Sequence, residues 1–275
     1  MAPAWLPRPD GNRDPRIEDP TNLYIVHLSG RALLPLALRL GLSPNPVSVT
    51  GFLLGAGAAA AYYQWRDWRF ACLGLMLCVL WLIADGLDGM IARATGTASA
   101  FGRFLDGLCD HGVFLLLYVS LAASIGTRSG WILAIAAGAA HAVQATLYEG
   151  ERTRFHRRIK GDPGSIAAAS ANPLVRLYDT VAGSLDRFAA PLDERLRAAA
   201  DPQAFGAAYA RRAVPPLRLM ALLTNNMRVL IIFLTCLAGS PRWFWITELT
   251  AQTAVLIVGT LWLRRIEARI VRETA

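Results

Sequence analysis

The chain has 275 residues, of which 54% are hydrophobic, and its mean hydropathy is +0.36; this is too apolar for an ordinary water-soluble domain. The formal net charge of +8 comes largely from arginines between long apolar blocks, so membrane topology accounts for it and no nucleic acid partner is required. Four cysteines, Cys72, Cys78, Cys109 and Cys236, show no metal-binding spacing and read as small buried hydrophobes.

Residues 1–21 are rich in Pro, Arg and Asp and lack the apolar core of a signal peptide, which predicts a flexible tail. Residues 22–41 are apolar but carry Arg31, Pro35 and Arg39, a pattern for an amphipathic helix lying in the membrane interface. Ser43-Pro44-Asn45-Pro46 then breaks the helix. Six apolar segments follow, at 46–65, 68–91, 104–125, 130–148, 217–239 and 243–263. Each approaches the length needed to cross a hydrocarbon core of ~30 Å.

The expected fold is therefore all-α and integral to the membrane: a six-transmembrane-helix bundle with an N-terminal interfacial amphipathic helix and a partly helical cytoplasmic loop at 149–216. In that loop Leu174, Leu177, Val181, Leu185, Phe188, Leu192 and Leu196 recur at helical spacing, a second amphipathic stripe. The chain divides into a tail with interfacial helix (1–45), a six-helix catalytic domain (46–265) and a C-terminal tail (266–275). Of the 28 Lys and Arg, only Arg66, Arg69, Arg128 and Arg242 fall in the three short connections opposite the termini. The positive-inside rule then places both termini and the 149–216 loop in the cytoplasm.

Against this background four aspartates stand out. Asp85 and Asp88 are three apart at the end of the second segment; Asp106 and Asp110 are four apart near the start of the third. Each pair shares a helix face, and a short connection brings the two pairs together at the cytoplasmic end. Isolated carboxylates at membrane depth are costly, so they neutralise, pair or bind a cation. Hard oxygen donors suit Mg²⁺, Mn²⁺ or Ca²⁺ rather than zinc, and Mg²⁺ commonly combines carboxylates with substrate phosphates. Gly86, Gly89, Ala92 and Gly102 leave room beside the carboxylates for a phosphate-bearing ligand.

The string Asp85-x2-Asp88-Gly89-x2-Ala92-Arg93-x8-Gly102-x3-Asp106-x3-Asp110 resembles the signature of the CDP-alcohol phosphatidyltransferases at every fixed position. The resemblance is strongest over 85–110 and covers the 149–216 loop poorly. It implies transfer of a substituted phosphate from a CDP-linked donor, by default CDP-diacylglycerol, to a polar alcohol, with release of CMP in phospholipid synthesis. It also implies two divalent cations, Mg²⁺ or Mn²⁺, held by Asp85, Asp88 and Asp106, with Asp110 as a further ligand or the general base. Gly86, Gly89, Ala92, Arg93 and Gly102 would line the CDP/CMP pocket; Asn45 and Thr50 resemble the family's Pro-Asn…Thr entrance near the nucleotide. The family resemblance leaves room for a homodimer in contact with membrane lipids.

Polar residues elsewhere suggest an acceptor pocket: Tyr148 and Glu149 at the end of the fourth segment, and Asn226 or Arg228 within the fifth. His111 reads as a packing residue, and Glu248 and Gln252 suggest no role. The run Arg152 to Lys160 reads as a topology and lipid-surface signal. Two other functions compete. The same chemistry could run with a CDP-linked headgroup donor and a lipid alcohol acceptor, or the carboxylates could serve a metal-ion transporter.

Overall fold

The computed structural model describes residues 14–163 and 190–274, and every regular element among them is helical. A π-helical turn (Asn22–Val26) opens α1 (His27–Arg39), followed by α2 (Pro44–Tyr62), α3 (Trp68–Thr95), α4 (Ala100–Ile125) and α5 (Arg128–Ile159). Residues 190–198 are helical and are termed α6. Next come α7 (Pro202–Met220), α8 (Asn225–Leu237), α9 (Arg242–Thr247) and α10 (Thr253–Glu273), with a π-helical turn (Glu248–Gln252) before α10.

Local chemistry sets these boundaries. The Asp67 carboxylate accepts a hydrogen bond from the Arg69 backbone N–H and starts α3. Gly96 ends that helix in the left-handed region at φ 67°, where a side chain would be strained. Ser99 then caps α4 by accepting from the Gly102 backbone N–H at 2.9 Å. The link between α3 and α4 is thus only residues 96–99, too short for anything but adjacent antiparallel helices.

The helices gather into two compact units. The first holds residues 19–140 and 224–250; the second holds the described parts of 12–18, 141–223 and 251–275. In the first, α2 packs on α3 and α4 around fully buried Tyr62, Trp81, Leu117 and Leu121. Trp81 and Phe114 meet edge to face with ring centroids 5.5 Å apart. Close approach of α2 to α4 depends on Gly55, where an added Cβ would fall 2.3 Å from Val113 Cγ2. The second unit packs α7 against α10 around Tyr209, Leu217, Met220 and Leu263.

Among the described residues, four helices are long and apolar enough to cross a membrane: Trp68–Thr95, Phe104–Ile125, Arg128–Ile159 and Arg242–Glu273. A fifth is added if Pro202–Leu223 and Asn225–Leu237 count as one broken span. The expected first span is present as α2, but its glycines, alanines and polar first turn leave it outside this set. The expected 217–239 span is interrupted at Thr224, whose extended backbone (ψ 155°) separates α8 from the preceding turn.

Other boundaries also move. Helix α5 continues through Glu149 to Ile159, into the expected loop, and α10 continues through the expected C-terminal tail to Glu273. Most of the amphipathic stripe, Leu174 to Phe188, lies outside the described residues, as does the tail before Asp14; Leu192 and Leu196 are buried in the second unit. Residues 27–39 form the expected N-terminal helix, with Leu28, Leu33 and Leu36 exposed.

The arginine run differs from its expectation in a physical way. Because α5 carries it on a helix rather than a loop, its side chains alternate between faces. Arg158 is buried and paired with Asp193 at 2.7 Å and Glu267 at 2.5 Å. Arg154 pairs with buried Glu151, which also meets Arg264. Arg154 and Arg158 thus face inward with their charges matched by carboxylates of the same unit, while Lys160 of the same run is exposed.

Candidate functional site

The two acidic turns become a single cleft in the first unit. Because α3 ends at Thr95 and α4 begins at Ala100, the last turns of one helix lie beside the first turns of the other. Asp85, Asp88, Asp106 and Asp110 all line this cleft, joined by Ser48 and Gly51 of α2, Trp81 of α3 and Cys109 of α4. The cleft is narrow and its side chains leave essentially no internal space for a water-sized group.

Asp88 is 5% exposed, and the Ser48 hydroxyl donates to its Oδ2. Ser48 is at once turned toward its own helix, 3.3 Å from the Pro44 carbonyl. Asp85 lies within hydrogen-bonding range of Asp106 and close to Asp110. Asp110 accepts at Oδ2 from the Asn225 side-chain amide at 3.3 Å, its buried Oδ1 accepts no hydrogen bond of good geometry, and the side chains of Trp81 and Asp85 lie within hydrogen-bonding range of the same carboxyl. Arg93 interacts electrostatically with Asp88 from one turn away.

The donor set fits a hard divalent cation in kind: four carboxyls, one hydroxyl close by, and a buried carboxyl oxygen that accepts no hydrogen bond of good geometry. Among the described residues, however, no three acidic, His or Cys side chains form a ready metal-binding group. The expected metal pair is therefore matched by neighbourhood and chemistry but not by a formed cage.

The other expected residues separate into groups. Asn45 is exposed, and its Oδ1 would stand 3.7 Å from a Cβ placed on Gly102, so these two do meet at the mouth of the α3–α4 link. Gly89 is covered by the Arg93 guanidinium, with Nη1 3.1 Å from the position of a Cβ. Gly86 is buried, and a Cβ placed on it would meet Val26 at 3.4 Å, an ordinary contact distance. Thr50 is exposed and donates to the Pro46 carbonyl at 2.8 Å, a bond within its own helix. Ala92 is half-buried.

The acceptor candidates are not drawn together. Asn226 donates to the Asp19 carboxylate at 3.3 Å. Arg228 is fully buried and paired with Glu248, equally buried, at 2.8 Å. Burial of an arginine in an apolar helix demands such a partner, so the sequence signal was real but its cause is an ion pair; Glu248, to which no role was given, supplies it. Tyr148 is buried in the core of the second unit, and Glu149 pairs with Arg152 at 2.9 Å. His111 packs nothing; it is exposed, with Nδ1 2.7 Å from the Gly107 carbonyl.

Ser48, Gly51, Trp81 and Cys109 line the cleft beside the aspartates without having been assigned to it. Ser48 follows Asn45 by three positions on the same turn, a spacing that could have marked it. Trp81 sits four residues before Asp85 on the same face of α3, which could likewise have pointed to it. Asn225, which reaches Asp110 from outside that lining, belongs to the polar run Thr224-Asn225-Asn226 within an apolar segment, the same signal that marked Asn226.

Residues 42–171 match the family model described as CDP-alcohol phosphatidyltransferase. Over 72 residues the chain is 39% identical to an archaetidylinositol phosphate synthase of Pyrococcus horikoshii, covering 26% of this chain and 36% of that protein. Over 144 residues it is 33% identical to a bifunctional IPC transferase and DIPP synthase of Rubrobacter xylanophilus, covering 52% of this chain and 31% of that protein. A phosphatidylinositol phosphate synthase of Mycolicibacterium smegmatis is 34% identical over 92 residues, or 33% of this chain and 39% of its own length. The chain thus spans about a third of the length of these curated relatives. The segment that matches the CDP-alcohol phosphatidyltransferase model contains the whole four-aspartate string and all of α2 to α4.

Proposed function

We propose that the chain is a membrane phosphotransferase that moves a substituted phosphate from a CDP-linked donor to a polar alcohol and releases CMP. The observation that carries this reading is the gathering of Asp85, Asp88, Asp106 and Asp110 around one cleft within the family-matched segment. Relatives named as synthases of inositol phosphate lipids support a CDP-linked lipid, by default CDP-diacylglycerol, as donor. They also put an inositol phosphate first among acceptors to be tried. The Arg asymmetry supports six spans with termini and cleft on the cytoplasmic side, and α1 lying in the interface.

Asp85, Asp88, Asp106 and Asp110 would hold Mg²⁺ or Mn²⁺, which when bound neutralises charge on the diphosphate. Asn45, Gly89, Ala92, Arg93 and Gly102 would face the nucleotide portion outside the narrow cleft. The acceptor hydroxyl oxygen attacks the phosphorus that carries the lipid, the bond from that phosphorus to the bridging oxygen breaks, and CMP departs with the oxygen and its electron pair. The hydroxyl proton passes to Asp110, whose Oδ1 accepts no hydrogen bond of good geometry. A carboxylate is a weak base toward an alcohol, so the proton moves as the P–O bond forms rather than before it.

The test is CMP release by purified protein in detergent, with each CDP donor offered separately against a panel of alcohols and a labelled lipid product recovered. Release should require a divalent cation and vanish in Asp88→Ala. Transfer only from a CDP-headgroup to a lipid alcohol would reverse donor and acceptor. Cation uptake into liposomes with no CMP release under any pairing would refute the reading in favour of a transporter.

A further inference from the structure

We infer that Asn225 is a positioning residue that orients the acceptor-activating carboxylate; this rests on the transferase reading above. Helix α8 starts at Asn225, immediately after the break at Thr224. The break matters because it places a side-chain amide at the first turn of a helix, where its direction is set by the helix axis rather than by a loop. From there Nδ2 donates to Asp110 Oδ2 at 3.3 Å. The other oxygen, Oδ1, is buried and accepts no hydrogen bond of good geometry, while the side chains of Asp85 and Trp81 lie close to the same carboxyl and share in holding it. An amide donating to one carboxyl oxygen restricts rotation about the Asp110 χ2 torsion and keeps the second oxygen in a defined direction, available to an incoming hydroxyl.

Two further contacts hold α8 in rotation so that this amide can act. One residue on, Asn226 donates to Asp19 at 3.3 Å. Three residues on, and hence on the same face as Asn225, buried Arg228 is locked to buried Glu248 at 2.8 Å. Asp19 accepts in turn from the Asn22 backbone N–H at 2.8 Å, at the start of the N-terminal helix. Adjacent asparagines of α8 therefore reach in two directions, one to the aspartate cluster and one to the segment preceding α1. Asn225 itself touches neither donor nor acceptor in this account and acts through Asp110.

The experiment compares full-length wild type, Asn225→Ala and the isosteric Asn225→Asp, which keeps shape but replaces the donor by an acceptor. Cys236→Ala, a buried truncation three turns along the same helix, controls for loss of stability. CMP release gives kcat and KM for donor and acceptor, and the melting shift produced by CDP with Mn²⁺ gives nucleotide binding without turnover. Both Asn225 variants should lose ~10–100-fold in kcat, the scale of a misplaced catalytic group, with the donor KM and the CDP-induced shift retained; Cys236→Ala should not lose kcat to that degree. Wild-type kcat in both Asn225 variants, a loss confined to KM, or an equal loss in Cys236→Ala overturns the inference while leaving the transferase reading intact. No CMP release from wild type with any donor and acceptor overturns both.

Discussion

Replacing Arg228 by Met should cost far more than an ordinary substitution because it strands a carboxylate. Arg228 and Glu248 are both 0% exposed and 2.8 Å apart. At an effective dielectric near 20 their attraction is about 6 kcal/mol, most of which offsets the cost of taking both charges out of water. Removing one partner leaves the second uncompensated, and the expected loss is ~3–5 kcal/mol. Translated by the behaviour of soluble domains of similar size, that is roughly 6–20 °C in melting temperature. Tyr118 lies within hydrogen-bonding range of Glu248, so the second substitution must leave it an acceptor. The double variant Arg228→Met with Glu248→Gln meets that need and should recover at least half of the lost melting temperature. Thermal unfolding followed by tryptophan fluorescence in detergent would measure all three proteins. The electrostatic account fails if Arg228→Met melts within a degree of wild type, or if the double variant melts below the single one.

Other consequences are equally specific. Ser48→Ala removes the hydroxyl that donates to Asp88 and should raise the Mn²⁺ concentration for half-maximal CMP release by ~10–100-fold; an unchanged metal dependence would show that this bond does not tune the site. Gly55→Ala forces a methyl to 2.3 Å from Val113 Cγ2 and should destabilise by ~1–3 kcal/mol through overpacking. Gly107→Ala, where no atom lies within 4 Å of the new methyl, should instead hold or raise the melting temperature, helped by ~1 kcal/mol of helix propensity. Gly206→Ala places its methyl 2.2 Å from the Arg158 carbonyl oxygen; because backbone cannot rotate away as a side chain can, its melting temperature should fall at least as far as that of Gly55→Ala.

Sequence patterning reached the helices and the aspartate cleft for one shared reason: both follow from local spacing. The i, i+3 and i, i+4 aspartates with a short link between them could hardly be placed anywhere but together, and Gly96 and Ser99 close that link as end signals should. Patterning was weaker where a boundary depends on tertiary partners. Glu149 to Ile159 reads as a charged loop by composition, yet it is helical because Arg158 finds Asp193 and Glu267 and Arg154 finds Glu151. The partner of Arg228 was hidden for the same reason, since Glu248 is twenty residues away on another element. Gly86 marks a different limit, because an absent side chain announces room but not for what; a Cβ there would meet Val26 only at an ordinary 3.4 Å.

The fate of Arg228 also sharpens the electrostatics of the cleft. An arginine within an apolar segment is an obvious counter-charge for four nearby carboxylates, and pairing there would have made the cluster a closed structural network. Instead its charge is balanced by Glu248, and the contact that α8 does make with the cluster comes from the neutral amide of Asn225. A neutral donor fixes the direction of the Asp110 carboxyl without cancelling its charge. Arg93, acting on Asp88 from the helix end, brings one positive charge toward four acidic groups. On the proposed reading the cleft is left for added positive charge, and Ser48 and Asn225 position its carboxyl oxygens rather than neutralise them. That division, charge pairs where only packing is needed and neutral donors where a carboxylate must stay reactive, is what a cation-dependent phosphate-transfer site requires and a purely structural acidic cluster does not.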